Sequence, residues 1–125
     1  MMHSTLSEAR NVHVGSGYDV VLVRQHVRQM ARQAGFCLTA QARMTAIVSE
    51  VARAALERHW NADFLFRLIP HHHGRYEIEV ICHADNLQRD AEYLSQLRRG
   101  LQEIAGSAAL AMQQQTGQFI LRFYM

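Results

Sequence analysis

Three histidines stand in a row at His71, His72 and His73, between two runs rich in aromatic and aliphatic residues. Side chains that converge on one metal ion need spacings such as i, i+2 or i, i+4. Adjacent side chains diverge, so the row reads as a solvated loop and no metal site is expected. Ser49 precedes Glu50, but no G-x-S-x-G surrounds it, so a hydrolase nucleophile is not indicated. Cys37 and Cys82 sit beside apolar residues with no C-x-x-C pair; they read as two reduced core thiols of a cytoplasmic protein. Neither G-x-x-x-x-G-K-[ST] nor G-x-G-x-x-G is present, so both common phosphate cradles are missing. Two features remain. Glu50 is a lone acid inside an alanine-rich stretch, and Arg24, Arg28 and Arg32 recur at i, i+4, i+8, with Arg43 and Arg53 further on. Arginines at that spacing share one helix face, and arginine favours specific pairing over a diffuse cationic coat.

These residues need elements to hold them. Asn11 to Val14 alternates briefly, as an edge strand does. From Val20 to Ala34 the apolar positions Val20, Val23, Val27, Met30 and Ala31 have helical spacing, with Asp19 as N-cap and Gly35 as the stop. Thr39 reads as the cap of a second helix over 40–58, whose buried stripe is Ala42, Ile47, Val51, Ala54 and Ala55. Strands follow at 63–69 and 75–83, joined by Pro70-His71-His72-His73-Gly74 as a hairpin loop. Asp85 or Asn86 is placed to cap a third helix over 88–105, with Leu94, Leu97, Leu101 and Ile104 as its stripe. A last hairpin, 108–115 and 118–124, turns at Thr116-Gly117. The order β, α, α, β, β, α, β, β predicts an α+β fold: a two-layer α/β sandwich, its mixed, mainly antiparallel sheet covered by helices on one face. Leu65, Ile69, Ile81, Ile120 and Tyr124 fall on the other parity of the strands, so this second sheet face is expected either to be covered too or to meet a partner, a second copy in a homodimer being one such partner.

Composition agrees with one domain. The chain has 125 residues, 49% hydrophobic and 19% charged, so it is long enough to bury a core and too apolar to stay disordered. Residues 1–10 read as a flexible N-terminus and 11–125 as a single domain. All 13 basic residues are arginine, and against 11 acids they leave a net charge of +2. That excess is too small for general nucleic-acid binding. No long apolar run suggests a membrane span.

Val23-Arg24-Gln25, Gly35-Phe36 and Ala46-Ile47-Val48-Ser49-Glu50-Val51-Ala52-Arg53 carry a family resemblance. With Thr116-Gly117 and the alternating Phe119, Leu121 and Phe123, the chain resembles, over residues 12–125, the small anti-sigma-factor serine kinases of stress-switch pathways. The resemblance implies a histidine-kinase-like ATPase fold with nucleotide between helices and sheet. It implies Glu50 as general base and nucleotide contacts at Asp85, Gly100 and Gly117. It also implies a magnesium-binding Asn one turn after Glu50, where this chain has Ala54; a methyl group cannot ligate Mg²⁺. Around Asp85, His83-Ala84-Asp85-Asn86-Leu87 lacks the family's glycines, and of a second glycine-rich segment only Gly100 is left.

The expectation is therefore a degenerate member, a pseudokinase without cofactor, acting as an anti-sigma-like regulator in a partner-switching pathway. Its partner is expected to be a sigma factor or a STAS-type antagonist, docked through Arg24, Arg28 and Arg53. The alternative is an active ATP-dependent serine/threonine kinase that phosphorylates an anti-sigma antagonist and holds Mg-ATP with another ligand, such as Asp85, in place of the Asn.

Overall fold

Alternation along the strands decides the architecture. In the computed structural model, which describes residues 10–124, the strands are β1 (Arg10–Val14), β2 (Ala62–Pro70), β3 (Tyr76–His83), β4 (Leu110–Gln115) and β5 (Gln118–Tyr124). The helices are α1 (Gly17–Gln33), α2 (Leu38–Glu57) and α3 (Ala91–Ala105). The element order is the predicted one, and the fold is an α+β two-layer sandwich. Of the expected N-terminal segment, residues 1–9 lie outside the described residues, while Arg10 already belongs to β1.

The sheet order is β1-β2-β3-β5-β4, and every neighbouring pair is antiparallel rather than mixed. The reason lies in the connections. Two helices in tandem return the chain to the end where β1 stopped, so Val14 meets Ala62 and β2 runs back. The single helix α3 sends β4 in the direction of β3, but β5 inserts between them.

One sheet face packs under the helices. Register rows Phe64–Cys82–Phe119, Phe66–Val80–Leu121 and Leu68–Ile78–Phe123 cross three strands. All nine residues are buried, Phe64, Phe66 and Phe119 with no exposed surface. Each such aromatic contributes roughly 1.5–3 kcal/mol by leaving water. Val23, Val27, Val48, Val51, Leu94 and Leu101 meet them from the helices.

The opposite face carries the other parity. Leu65, Ile81 and Ile120 form one row, Arg67, Glu79 and Arg122 the next, and Ile69, Glu77 and Tyr124 a third. Glu79 is only 4% exposed. It accepts hydrogen bonds from Arg67 at 2.9 Å and Arg122 at 3.1 Å, so its charge is paired on both sides. The two sheet edges differ: β1 carries Arg10 and His13, while β4 ends in the exposed run Gln113–Gln115.

Several local expectations need correction. The N-cap of α1 is Ser16, with Asp19 as the third residue of a capping box. Asp19 reaches back to the Gly15 and Ser16 amides, which is the reciprocal half of that motif. The N-cap of α2 is Cys37, which makes no side-chain hydrogen bond, and Thr39 lies inside the helix. Gly35, at φ +86°, allows the sharp exit from α1, and the next residue to bury is Phe36. Cys37 is consequently exposed rather than a core thiol. Ala42 is exposed as well, because α2 buries the Met44, Ile47, Val48, Val51 stripe instead. Neither Asp85 nor Asn86 caps α3. A short 3-10 turn, Leu87–Asp90, precedes it and buries Leu87, and α3 starts only at Ala91.

Candidate functional site

Helical spacing puts Arg24 and Arg28 one turn apart on α1. With Ala42, Thr45, Ala46, Ser49, Glu50 and Arg53 of α2, and Ile104 of α3, they line a groove of about 260 Å³. Alanines at 42 and 46 keep the α2 side low, so the long arginine side chains rise around it. Arg53 donates to Glu50 at 2.6 Å, and both side chains are about half exposed. An ion pair that wet contributes under about 1 kcal/mol. Arg24 and Arg28 have no carboxylate within ion-pairing distance among the described residues.

Two hydroxyls flank the groove and fare differently. Thr45 donates to the Gln41 carbonyl at 2.8 Å, one turn back. The Ser49 hydroxyl, on a residue 3% exposed, has no hydrogen-bond partner. Sequence reasoning passed over Ser49 once no nucleophile motif was found. The usable signal was the small-residue spacing Ala42, Ala46, Ser49 on the helix face that also carries Arg53.

The structure thus brings Arg24, Arg28 and Arg53 together and sets Glu50 among them. Two other arginines of the sequence pattern are not in the groove lining. Arg43 donates to the Ala105 carbonyl at the end of α3, and Arg32 is exposed in the last turn of α1.

The nucleotide-contact candidates are placed elsewhere. Asp85 is exposed just beyond β3. Its neighbour Ala84 donates to the Gly117 carbonyl at 2.9 Å, which ties the end of β3 to the β4–β5 turn. Gly117 has φ +72°, and a Cβ there would sit 3.6 Å from the Ala84 oxygen; its glycine is accounted for by that turn. Gly100 is exposed in mid-α3, with nothing within 4 Å of a Cβ. Asp85, Gly100 and Gly117 do not line the groove that holds Glu50. Ala54 is 3% exposed in the core and offers no oxygen.

A second cluster ties the α2 exit to α3. Trp60 donates its indole N–H to Asp90 at 2.6 Å, and Arg58 donates to the same carboxylate at 2.7 Å. The Arg58 guanidinium lies 4.3 Å from the centre of the Tyr93 ring. The Arg58 and Trp60 donors hold the Asp90 carboxyl below its ordinary range. His59 and Asn61, either side of buried Trp60, are both left-handed at φ 55° and 54°. Each costs about 1 kcal/mol, offset by what burying Trp60 contributes.

Other chemistry-bearing groups are quiet. Burial pushes the Cys82 thiol well up, so it supplies no thiolate. His71 is hydrogen-bonded to Glu77 at 2.9 Å. Among the described residues no group of three His, Cys, Asp or Glu is placed to hold a metal ion. A larger cavity of about 460 Å³, between the α1–α2 turn and β4, is lined mainly by apolar residues such as Phe36, Met44 and Leu110. Among the described residues no helix is long and apolar enough to cross a membrane.

No family model matches the chain, and neither does any curated protein. Among solved structures, the chain is similar to one in the crystal structure of the SiaB–SiaC complex from Pseudomonas aeruginosa. That match has 16% identity and a TM-score of 0.49, and covers 94% of this chain and 89% of the other.

Proposed function

We propose that this protein is a regulatory module that captures a protein partner on the α1–α2 groove and transfers no phosphoryl group. The observation that carries this reading is the set of arginines lining it, Arg24 and Arg28 with no carboxylate partner among the described residues and Arg53 paired only with Glu50. Exposed, unpaired arginines are the residues that steer and anchor a complementary acidic surface. Against nucleotide chemistry stand Ala54, without a metal-binding oxygen, and Asp85, Gly100 and Gly117, none of which shares the groove with Glu50. These residues do not fit Mg-ATP. The family resemblance names a sigma factor or a STAS-type antagonist as the partner class, within a partner-switching pathway.

The test is binding of a sigma factor or STAS-type antagonist encoded beside the gene, measured by titration calorimetry. Reversing Arg24→Glu and Arg28→Glu together should weaken capture about 100-fold. Both positions are exposed, so the melting temperature should hold. Unchanged affinity removes the groove from the interface. In the same instrument, Mg-ATP bound more tightly than about 100 μM, well within the range of working nucleotide sites, together with label transfer to a seryl partner, would favour the kinase reading.

A further inference from the structure

Among the described residues, one buried side-chain polar atom has no hydrogen-bond partner, the Ser49 hydroxyl. Buried hydroxyls are nearly always satisfied, so an orphan asks for a missing partner. A local partner is within reach of its kind: Thr45, one turn earlier on α2, bonds back to the carbonyl four residues before it, and Ser49 does not. Ser49 lines the same groove as Arg24, Arg28 and Arg53. Three arginines lining one small space, with an unpaired hydroxyl buried under its wall, make a site for an oxyanion.

We infer that this groove receives a phosphorylated side chain of a protein partner, its phosphomonoester dianion lying among Arg24, Arg28 and Arg53 and accepting a hydrogen bond from the Ser49 hydroxyl. The inference rests on the partner-capture reading and names the chemistry that the captured surface presents.

Charge favours phosphate over a carboxylate. Three guanidiniums and the Glu50 carboxylate leave the groove at a net +2, which matches a phosphoserine at about −1.5 to −2 near neutral pH. A carboxylate would leave one positive charge over. Donor number points the same way. The groove offers more N–H groups, plus a hydroxyl, than the two oxygens of a carboxylate absorb, whereas a phosphate presents three acceptor oxygens. Glu50 faces the same space and would repel an anion, but its charge is already engaged by Arg53 at 2.6 Å. A volume of about 260 Å³ admits one side chain and its head group. Ala42 and Ala46 give an apolar anchor little to grip.

The test uses the whole chain, labelled with nitrogen-15, titrated with N-acetyl-phosphoserine-N-methylamide and followed by amide and arginine side-chain N–H resonances. Saturable shifts are expected at Arg24, Arg28, Ser49 and Arg53, with Arg67 and His71 unmoved. Ser49→Ala should weaken binding about tenfold, as loss of a hydrogen bond to a charged acceptor does. Arg28→Gln, at an exposed position that folding does not need, should do at least as much. Absence of shifts in the groove overturns the inference. So does equal binding of the unphosphorylated serine or glutamate derivative, and so does tighter binding of inorganic phosphate, which would make the ligand a free ion. Partner capture that is lost on reversing Arg24 and Arg28, yet does not yield to the phosphoserine derivative as competitor, would leave the partner reading standing and remove only the phosphate.

Discussion

Two of the surfaces of this molecule that carry arginines use them in opposite ways. On the open sheet face Arg67 and Arg122 both point their charge at Glu79, a carboxylate only 4% exposed. In the α1–α2 groove Arg53 alone has a carboxylate, while Arg24 and Arg28 have none among the described residues and the Ser49 hydroxyl beside them is unpaired. Paired charges around a buried acid stabilise a fold by avoiding the cost of a lone one. Unpaired charges give the fold no ion pair, and an unpaired buried hydroxyl costs it stability. They become useful when an outside group completes them.

Glu79→Ala should break the sheet side of this contrast. It leaves Arg67 and Arg122 without their shared acceptor. Because both arginines are about half exposed, the loss should be about 2 kcal/mol rather than the larger figure for a fully buried pair. A fall in melting temperature of roughly 8 °C is expected in a chain this size. If Glu79→Ala changes stability no more than Arg24→Ala with Arg28→Ala, the two surfaces are alike and the contrast fails.

Ser49→Ala probes the groove side and should move stability the other way. Replacing an unpaired buried hydroxyl by a methyl removes a desolvation cost, so the free protein should gain up to about 1 kcal/mol in urea denaturation. Loss of stability would mean that the hydroxyl is paired in solution. Opposite signs at Glu79 and Ser49 are the sharpest form of the comparison.

The smallest effect belongs to the Trp60–Asp90–Arg58 cluster, a second set of paired groups. The folded-state pKa of Asp90 is lowered, first by the Arg58 hydrogen bond and then by the Trp60 one. Its stabilisation is therefore present above the ordinary carboxylate pKa and is lost as pH falls through the lowered folded value. Melting curves between about pH 5 and pH 2 should show this dependence, and Asp90→Asn should flatten it. An unchanged slope would take Asp90 out of the acid-sensitive set.

Periodicity made the scaffold legible. The order of eight elements, the hairpin at Pro70–Gly74 and the division of Leu65, Ile81 and Ile120 from Phe64, Val80 and Leu121 all follow from spacing. So did the grouping of Arg24 with Arg28, since i, i+4 fixes a shared helix face. Terminal details were less readable because several residues compete for each cap. Ser16 and Asp19 both suit an N-cap, and only the reciprocal hydrogen bonds separate cap from third residue. Tertiary pairings were not readable at all. Nothing local joins Trp60 to Asp90 across 30 positions, and that tie goes with the 3-10 turn that delays α3 to Ala91. The isolation of the Ser49 hydroxyl likewise depends on what surrounds it, not on its neighbours in the chain.

Strand β4 has a consequence of its own. As the last strand of the sheet it leaves one side of the Leu110–Gln115 backbone with no strand to bond to among the described residues. Natural edges are guarded against strand addition by proline, charge or a bulge. Leu-Ala-Met-Gln-Gln-Gln contains no proline and no charge, and its register with β5 runs unbroken. Whatever tendency the folded protein has to stack into fibres in concentrated solution is therefore concentrated in these six residues, whose glutamine amides are suited to ladder from one copy to the next.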